Sequence, residues 1–252
     1  MDDIITTDGI LSAFPTIYCK IDVFYTESCI HRGKLWRVPS ANTSSIVTGH
    51  SDLPITDEIV AKYNFKQWWS LNSQTLRANG YPLGITNDCD DSPIHRIYGN
   101  TDIMKKALDI PRVIRNRVYM NFSLRTHPSR HGVYHMFKDT PWVTVGQQFQ
   151  TLDGRFKFLQ EIRNHEFVLC PRGYGVDTHR LWETLYMGSI PIVQRDIAHR
   201  DWEDLPIAWL DSFSEVTPEW LDSQLKRIQE GTWNMEKLKL SYWIGRISDS
   251  LH

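Results

Sequence analysis

Cysteine, net charge and long apolar runs are all scarce in this sequence. Four cysteines occur among 252 residues, Cys19, Cys29, Cys89 and Cys170, and no two form a C-x-x-C pair. Such scattered thiols indicate neither a zinc site nor a dense disulfide framework. We therefore expect reduced thiols, as in a cytosol-like compartment.

The low net charge and the short apolar runs exclude two further classes of partner. A formal charge of -2 gives no general attraction to nucleic acid or to an anionic membrane, so any anion site must be local. No run approaches the ~18 apolar residues of a spanning helix, and the first residues lack the pattern of a signal peptide. We expect a soluble, cytoplasmic protein without a membrane span or a nucleic-acid partner.

The composition and the order of the apolar runs predict an α/β fold. Hydrophobic residues make up 41% of the chain and charged residues 23%, as in a folded protein. Strand-like runs such as SSIVTG, RVYMNFSL and FVLC alternate with polar loops and helical spacing, which is typical of parallel α/β units. We predict two Rossmann-like, doubly wound domains, residues 1–112 and 113–252, the second ending in an amphipathic helix. The boundary follows Pro111, which should end the helix in TDIMKKALDI.

The richest stretch is FVLCPRGYGVDTHRLWETLYMGSIPIV, residues 167–193. A strand ends at Pro171, Gly173 and Gly175 permit close approach to the main chain, and Asp177 or Thr178 can cap a helix. The free N–H groups and positive dipole end of a helix bind anions, and ligands of open α/β sheets bind at the carboxyl ends of the strands. A diphosphate fits this pattern.

Glu183 lies three residues after Arg180, so helical spacing keeps both near one face. A carboxylate one turn beyond a phosphate site can accept two hydrogen bonds from a ribose diol, which would indicate a nucleotide. Alternatively, Asp177, Arg180 and Glu183 form only a helix cap and an ion pair. The loop is neither a P-loop nor a G-x-G-x-x-G fingerprint.

The segment CPRGYGVDTHRLWETLYMGSIPIV resembles the donor-binding signature of exostosin-like glycosyltransferases, glycosyltransferase family 47. A P-x-G loop, a segment ending in Arg, an aromatic-Glu pair and a G-x-I-P strand follow in the same order. The resemblance implies a GT-B architecture, in which two Rossmann-like domains face a cleft. It also implies a UDP-sugar donor and transfer without a required metal or a tightly bound cofactor. Short soluble members occur in large algal viruses, and xylose is the first guess for the sugar.

The same resemblance assigns donor-binding roles by position. Arg172, Gly173 and Gly175 would shape the loop near the diphosphate, and Tyr174 would lie against the base. Phosphate or sugar would be contacted by Thr178, His179 and Arg180, while Glu183 would hold the ribose.

A second basic segment, NFSLRTHPSRHGVY, follows a predicted strand. Arg125 and Arg130 could clamp the diphosphate by bidentate hydrogen bonds, or they could belong to a solvated basic loop. His127 and His131 have a spacing that suits a metal, but no acidic or thiol ligand is near, so we predict no metal site.

An inverting transfer needs a general base for the acceptor hydroxyl. VTGHSDLP places His50 and Asp52 just past a strand, where such a base belongs. We predict Asp52 as the base and His50 as the second choice; Asp52 could instead cap the next turn. The loop TNDCDDSPIH offers Asp88, Asp90 and Asp91 as ligands of an acceptor or a divalent cation, or as a solvated turn.

Trp68 and Trp69 suggest sugar stacking. We predict that they lie on a helix, about 100° apart, so that at most one would face the cleft.

These observations predict a glycosyltransferase that moves a monosaccharide from a UDP-sugar to a hydroxyl of a glycan acceptor, without metal and with inversion. A nucleotide-sugar hydrolase or epimerase is an alternative, and it would turn over the donor without an acceptor. A non-catalytic nucleotide-sugar or glycan-binding module would bind UDP and form no product.

Overall fold

The computed structural model describes residues 3–15, 17–21, 35–36, 45–63, 65–88 and 93–251. The strands are β1 Tyr18–Ile21, β2 Leu35–Trp36, β3 Ser45–Gly49, β4 Gln67–Ser70, β5 Asn79–Gly80, β6 Asn116–Met120, β7 Val143–Val145, β8 His165–Leu169, β9 Ile190–Gln194 and β10 Ala208–Leu210. The α-helices are α1 Thr7–Ser12, α2 Asp57–Ala61, α3 Pro93–Tyr98, α4 Thr101–Leu108, α5 Ser129–Phe137, α6 Leu152–Arg163, α7 His179–Tyr186, α8 Pro218–Glu230 and α9 Leu240–Ser250. Short 3-10 segments cover Ile197–Trp202, Phe213–Glu215 and Met235–Leu238.

The first half of the chain forms a sheet of order β2-β1-β3-β4-β5. Its pairs are parallel except β1–β2, which is antiparallel. All five residues of β3, Ser45–Gly49, are buried, as expected for an inner strand of a largely parallel sheet. Thr56 is the N-cap of α2. Because β3 and β4 are parallel neighbours, the loops that follow them leave the same edge of the sheet.

The second half forms a fully parallel sheet of order β10-β9-β8-β6-β7. From β6 the chain continues to the edge strand β7, whereas from β8 it continues in the opposite direction to β9. This reversal between β6 and β8 is the switch point of a doubly wound sheet, and it opens a crevice at the carboxyl ends of the two strands. The mixed α/β class with parallel sheets is confirmed.

The core is continuous between the two sheets. Met104 on α4 and Ile162 on α6 belong to the same buried cluster, and Trp243 of α9 packs edge-on against Trp202. Helix α9 also reaches the first sheet, where the indole N–H of Trp69 donates to the hydroxyl of Ser250 at 2.8 Å. The terminal helix thus contacts the first sheet, and the division at 112/113 stays a prediction.

The predicted helix around Trp68 and Trp69 is wrong. Both residues lie on β4, between β3 and β5, and they are 1% and 3% exposed. A buried position in a parallel sheet outweighs the helical spacing of the neighbouring polar residues, because strand preference depends mainly on packing. Neither indole is available to stack on a sugar.

Two elements of the second half were not among the sequence-based predictions. Helix α5 begins within the basic segment NFSLRTHPSRHGVY, and the short edge strand β7 precedes α6. Helix α4 ends at Leu108, before Pro111, as predicted. In the described ranges, no helix combines the length and the apolar character needed to cross a membrane.

Gly84 lies against the backbone of Ile5 and forms a bridge with Thr6, and its replacement should destabilise the fold. Its φ is +67°, and a Cβ there would overlap the backbone carbonyl of Ile5. We expect Gly84→Ala to lower the free energy of unfolding by at least about 1–2 kcal/mol, the cost of a left-handed conformation with a side chain. Thermal and urea unfolding measure the change.

Gly132 provides the matched control. It lies within α5, and nothing comes within 4 Å of the place that a Cβ would occupy. Gly132→Ala should raise the stability by roughly 0.5–1 kcal/mol through helix propensity. Equal effects of the two substitutions would contradict the strain assigned to Gly84.

Candidate functional site

A cleft of about 380 Å³ opens at the switch point between β6 and β8. The first sheet supplies part of its wall through the loops that contain Asp52 and Leu83. Nine residues predicted from the sequence line it: Asp52, Arg130, Gly173, Tyr174, Gly175, Thr178, His179, Arg180 and Glu183. His50, Arg125 and Arg172 are not in the lining.

Loops of the first sheet hold the glycine loop, residues 171–178, in place. The side-chain oxygen of Asn72 accepts hydrogen bonds from the backbone N–H groups of Val176 and Asp177, at 2.9 and 3.0 Å. Asn72 is buried and has a φ of 50°. A Cβ at position 175 would lie 2.8 Å from the Asn72 amide nitrogen and 3.1 Å from the Asp52 carboxylate. Gly175 therefore allows the two halves to approach at the cleft.

The Asp177 side chain links the glycine loop to a loop of the first sheet, and it is not a simple cap of helix α7. Its buried carboxylate accepts hydrogen bonds from the backbone N–H of Leu83 at 2.8 Å and from the indole N–H of Trp182 at 2.9 Å. Burial raises the pKa of Asp177 to about 6, and these hydrogen bonds oppose the shift. Thr178 occupies the N-cap position of α7, as one of the two alternatives predicted, although its side chain makes no capping hydrogen bond.

Two arginines bring positive charge into the cleft. Arg155 on α6 is 0% exposed, and its Nη1 donates to Glu183 Oε1 at 2.5 Å. Within the described part of the chain, Nε and Nη2 of Arg155 and Nε of Arg180 are buried without a hydrogen-bond partner. Both guanidinium groups lie beside the Phe158 ring, 5.6 and 5.8 Å from its centroid. Buried donors on charged groups are costly unless an acceptor meets them, so this part of the cleft suits an anion.

Glu183 is buried in an ion pair with Arg155, and among the described ion pairs it has none with Arg180. The simple i,i+3 pair of Arg180 and Glu183 is therefore not what the carboxylate forms. Glu183 still lines the cleft, so its proposed contact with a ribose stays a prediction.

Arg130 holds the backbone of the glycine loop through hydrogen bonds from its guanidinium group. Its Nε, Nη1 and Nη2 donate to the carbonyl groups of Arg172, Ser123 and Pro171, at 2.8, 3.1 and 3.2 Å. Burial, followed by repulsion from Arg180, lowers the pKa of Arg130 to about 10, which leaves it charged at neutral pH. Because its donors already have acceptors, a direct clamp on a diphosphate stays a prediction.

The remaining basic candidates lie elsewhere. Arg125 is exposed beyond β6. Arg172 lines a second cavity of about 150 Å³ together with His199, and its Nη2 donates to the carbonyl of Tyr174 at 3.1 Å. Tyr174 is 58% exposed at the rim of the cleft.

Asp52 lies three residues beyond β3, where the first sheet meets the glycine loop. Desolvation raises the pKa of Asp52, while the electrostatic interaction with His179 and the hydrogen bond from the backbone N–H of Gly175 oppose this shift. His50 has a φ of 53° and its Nε2 lies 2.8 Å from a carboxylate oxygen of Asp8, outside the cleft lining. The catalytic roles of Asp52 and His50 stay predictions.

The described residues contain no group of three or more His, Cys, Asp and Glu side chains arranged to hold a metal. His127 pairs with the Ser129 hydroxyl through Nδ1 at 2.7 Å. Asp90 and Asp91 lie outside the described residues, so the acidic loop stays a prediction.

Sequence reasoning missed Arg155 and several other residues that line the cleft. Among these, Asn121 and Gln148 are joined by a hydrogen bond of 2.9 Å, and the rings of Tyr98 and Phe149 pack against each other. The sequence did contain a signal for Arg155, because this residue shares an apolar helical stripe with Phe158, Leu159 and Ile162 on the buried face of α6. A charged residue in such a stripe needs a partner.

Comparison with known proteins yields little. No protein-family model matches the chain, and no curated protein sequence is significantly similar to it. A structural match is the crystal structure of an alpha,alpha-trehalose-phosphate synthase (UDP-forming) from Burkholderia vietnamiensis, with 10% identity and a TM-score of 0.36. The match covers 81% of this chain and 58% of that protein. At this TM-score, the likeness carries no argument about fold or activity.

The Arg155–Glu183 pair should be essential for stability. Glu183→Ala leaves a fully buried guanidinium without its carboxylate, which costs roughly 3–5 kcal/mol. We expect a large loss in the free energy of unfolding, measured by urea denaturation. Loss of activity in Glu183→Ala would therefore not by itself indicate a ribose contact.

The double substitution Arg155→Met with Glu183→Leu is the control. Removing both charges together should restore most of the lost stability, because no buried charge then lacks a partner. A Glu183→Ala protein as stable as the wild type would contradict the assigned pairing.

Proposed function

We propose that this protein is a glycosyltransferase of GT-B type that moves a monosaccharide from a UDP-sugar to a hydroxyl group of a glycan. In this proposal the chain comprises two Rossmann-like domains with the cleft between them, and the exostosin-like signature marks the donor site. Xylose remains the first guess for the transferred sugar.

The guanidinium groups of Arg155 and Arg180 carry the proposal, because some of their buried nitrogens have no hydrogen-bond partner among the described residues. Both residues line the cleft at the sheet switch point, and the first turn of α7 adds a positive helix end there. A diphosphate offers several acceptor oxygens and negative charge, so it can satisfy these donors together. The volume of about 380 Å³ falls within the range of small-molecule sites.

The reaction proceeds by inversion. Asp52 takes the proton of the acceptor hydroxyl while the acceptor oxygen attacks the anomeric carbon of the sugar. The bond between that carbon and the diphosphate oxygen breaks, and UDP leaves with the electron pair. Arg155, Arg180 and the N-terminus of α7 stabilise the negative charge that develops on the leaving group. We propose that no metal is required for this step.

Arg180→Met tests the anion site. Methionine keeps apolar contact with Phe158 and removes the charge, so we expect UDP to bind about 10- to 100-fold more weakly, the value of one or two charge-assisted hydrogen bonds. Isothermal titration calorimetry measures the dissociation constant. Arg115→Met is the matched control, because Arg115 is 64% exposed and pairs only with Glu161 among the described ion pairs.

Wild-type affinity for UDP in Arg180→Met would overturn the proposed site, as would a wild-type protein that binds no uridine nucleotide.

Incubation with a panel of UDP-sugars and glycan acceptors in the presence of EDTA, followed by mass spectrometry, separates the classes of function. A transferase forms a glycan product, a hydrolase releases free sugar without an acceptor, and a binding module does neither.

Asp52→Asn tests the base separately from the donor site. Asparagine cannot accept the proton, so we expect turnover to fall at least about 100-fold while UDP affinity stays unchanged. The base works only when deprotonated. Because the pKa of Asp52 is raised, wild-type turnover should decline on the acid side at a higher pH than for an ordinary aspartate. Substantial turnover in Asp52→Asn would remove it from this role.

A further inference from the structure

His179 begins helix α7 with one ring nitrogen already committed. Its Nδ1 lies 2.8 Å from the carbonyl oxygen of Gly84, in the loop contributed by the first sheet. A carbonyl group can only accept a hydrogen bond, so Nδ1 must carry the proton. The contact with Gly84 therefore sets the tautomer of the ring.

The ring is neutral near pH 7. Burial lowers the pKa of His179, and the charge of Arg155 acts in the same direction, while the hydrogen bond to Gly84 and the carboxylates of Glu183 and Asp52 oppose it. The positive end of α7 also disfavours a second proton. A neutral imidazole with hydrogen on Nδ1 has a bare lone pair on Nε2, which can only accept a hydrogen bond.

This lone pair is available to a ligand. His179 lines the cleft, and within the described ranges its Nε2 has no hydrogen-bond partner. The diphosphate oxygens of a nucleotide carry no hydrogen at neutral pH, so they would repel the lone pair. A group that donates hydrogen must therefore meet Nε2, and in a sugar nucleotide the hydroxyl groups are the abundant donors.

We infer that His179 Nε2 accepts a hydrogen bond from a hydroxyl group of the transferred sugar, which makes His179 a specificity residue for the sugar and not a phosphate ligand. The inference rests on the proposed function. Its support is the position of His179 beside Asp52, whose carboxylate interacts electrostatically with the ring and which contacts the glycine loop at Gly175. That is the part of the cleft where the sugar carbon and the acceptor hydroxyl would meet.

His179→Asn is the sharpest variant. The amide N–H of asparagine can replace the Nδ1 donor to the Gly84 carbonyl, while nothing replaces Nε2. Dissociation constants of UDP and of UDP-xylose, UDP-galactose, UDP-glucuronate and UDP-N-acetylglucosamine are measured for wild type and variant by calorimetry at neutral pH. We expect the UDP constant to stay within about twofold and the constant of the preferred UDP-sugar to rise about 3- to 10-fold, the loss of one neutral hydrogen bond.

The pH dependence provides a second readout that a structural role would not change. Protonation converts Nε2 from an acceptor into a donor, so the preference of the wild type for UDP-sugar over UDP should shrink as the pH falls. The His179→Asn protein should show no such change. Thermal unfolding of the variant confirms that the Gly84 contact is retained.

The outcomes are separable. An equal loss of affinity for UDP and UDP-sugar in His179→Asn, or no loss for either, would overturn the role of Nε2. Failure of the wild type to bind UDP would instead overturn the proposed function itself.

Discussion

The hydrogen bonds between the first-sheet loops and the glycine loop are the contact on which the site depends. A loop with Gly173 and Gly175 has few side chains with which to fix its own conformation, so its backbone N–H groups need external acceptors. The side-chain oxygen of Asn72 accepts from Val176 and Asp177. In the same contact, the Asp177 carboxylate accepts a hydrogen bond from the backbone N–H of Leu83, and His179 donates one to the carbonyl of Gly84. The contact also brings Asp52 to the cleft, so one set of polar interactions both joins the two sheets and builds the candidate site.

The buried arginines of the cleft differ in their hydrogen-bond partners. Arg155 is held by a single carboxylate, Glu183, and Arg130 by three carbonyl groups, so the two arginines have different roles despite their similar burial. Donors of Arg130 are satisfied by the protein itself, which makes this residue a support for the loop. In the described part of the chain, Arg155 and Arg180 keep buried donors without partners, and burial strengthens the attraction of such donors for an anion. An anion pocket can therefore form although the net charge of the chain is -2.

Much of the second sheet was predictable because several local signals agree there. In residues 167–193 an apolar run, a proline stop, two glycines and a capping threonine all point to strand, loop and helix, and β8, α7 and β9 follow this order. Around Trp68 the signals disagree, since polar residues at helical spacing surround an aromatic pair. Pairing with β3 and β5 decided that conflict, and such long-range pairing is not visible in a local window.

By itself, the sequence determined the α/β class, the helix that starts at His179 and nine of the residues that line the cleft, because turn chemistry and apolar spacing act over a few neighbouring positions. Only the tertiary structure decided which charged groups meet. Arg155 and Glu183 lie 28 residues apart and Asn72 and Val176 lie 104 apart, so their pairing depends on how helices and loops pack. The same holds for two other side chains. Arg130 bonds to the glycine loop, and His179 has a fixed tautomer, because the fold places backbone carbonyl groups beside them.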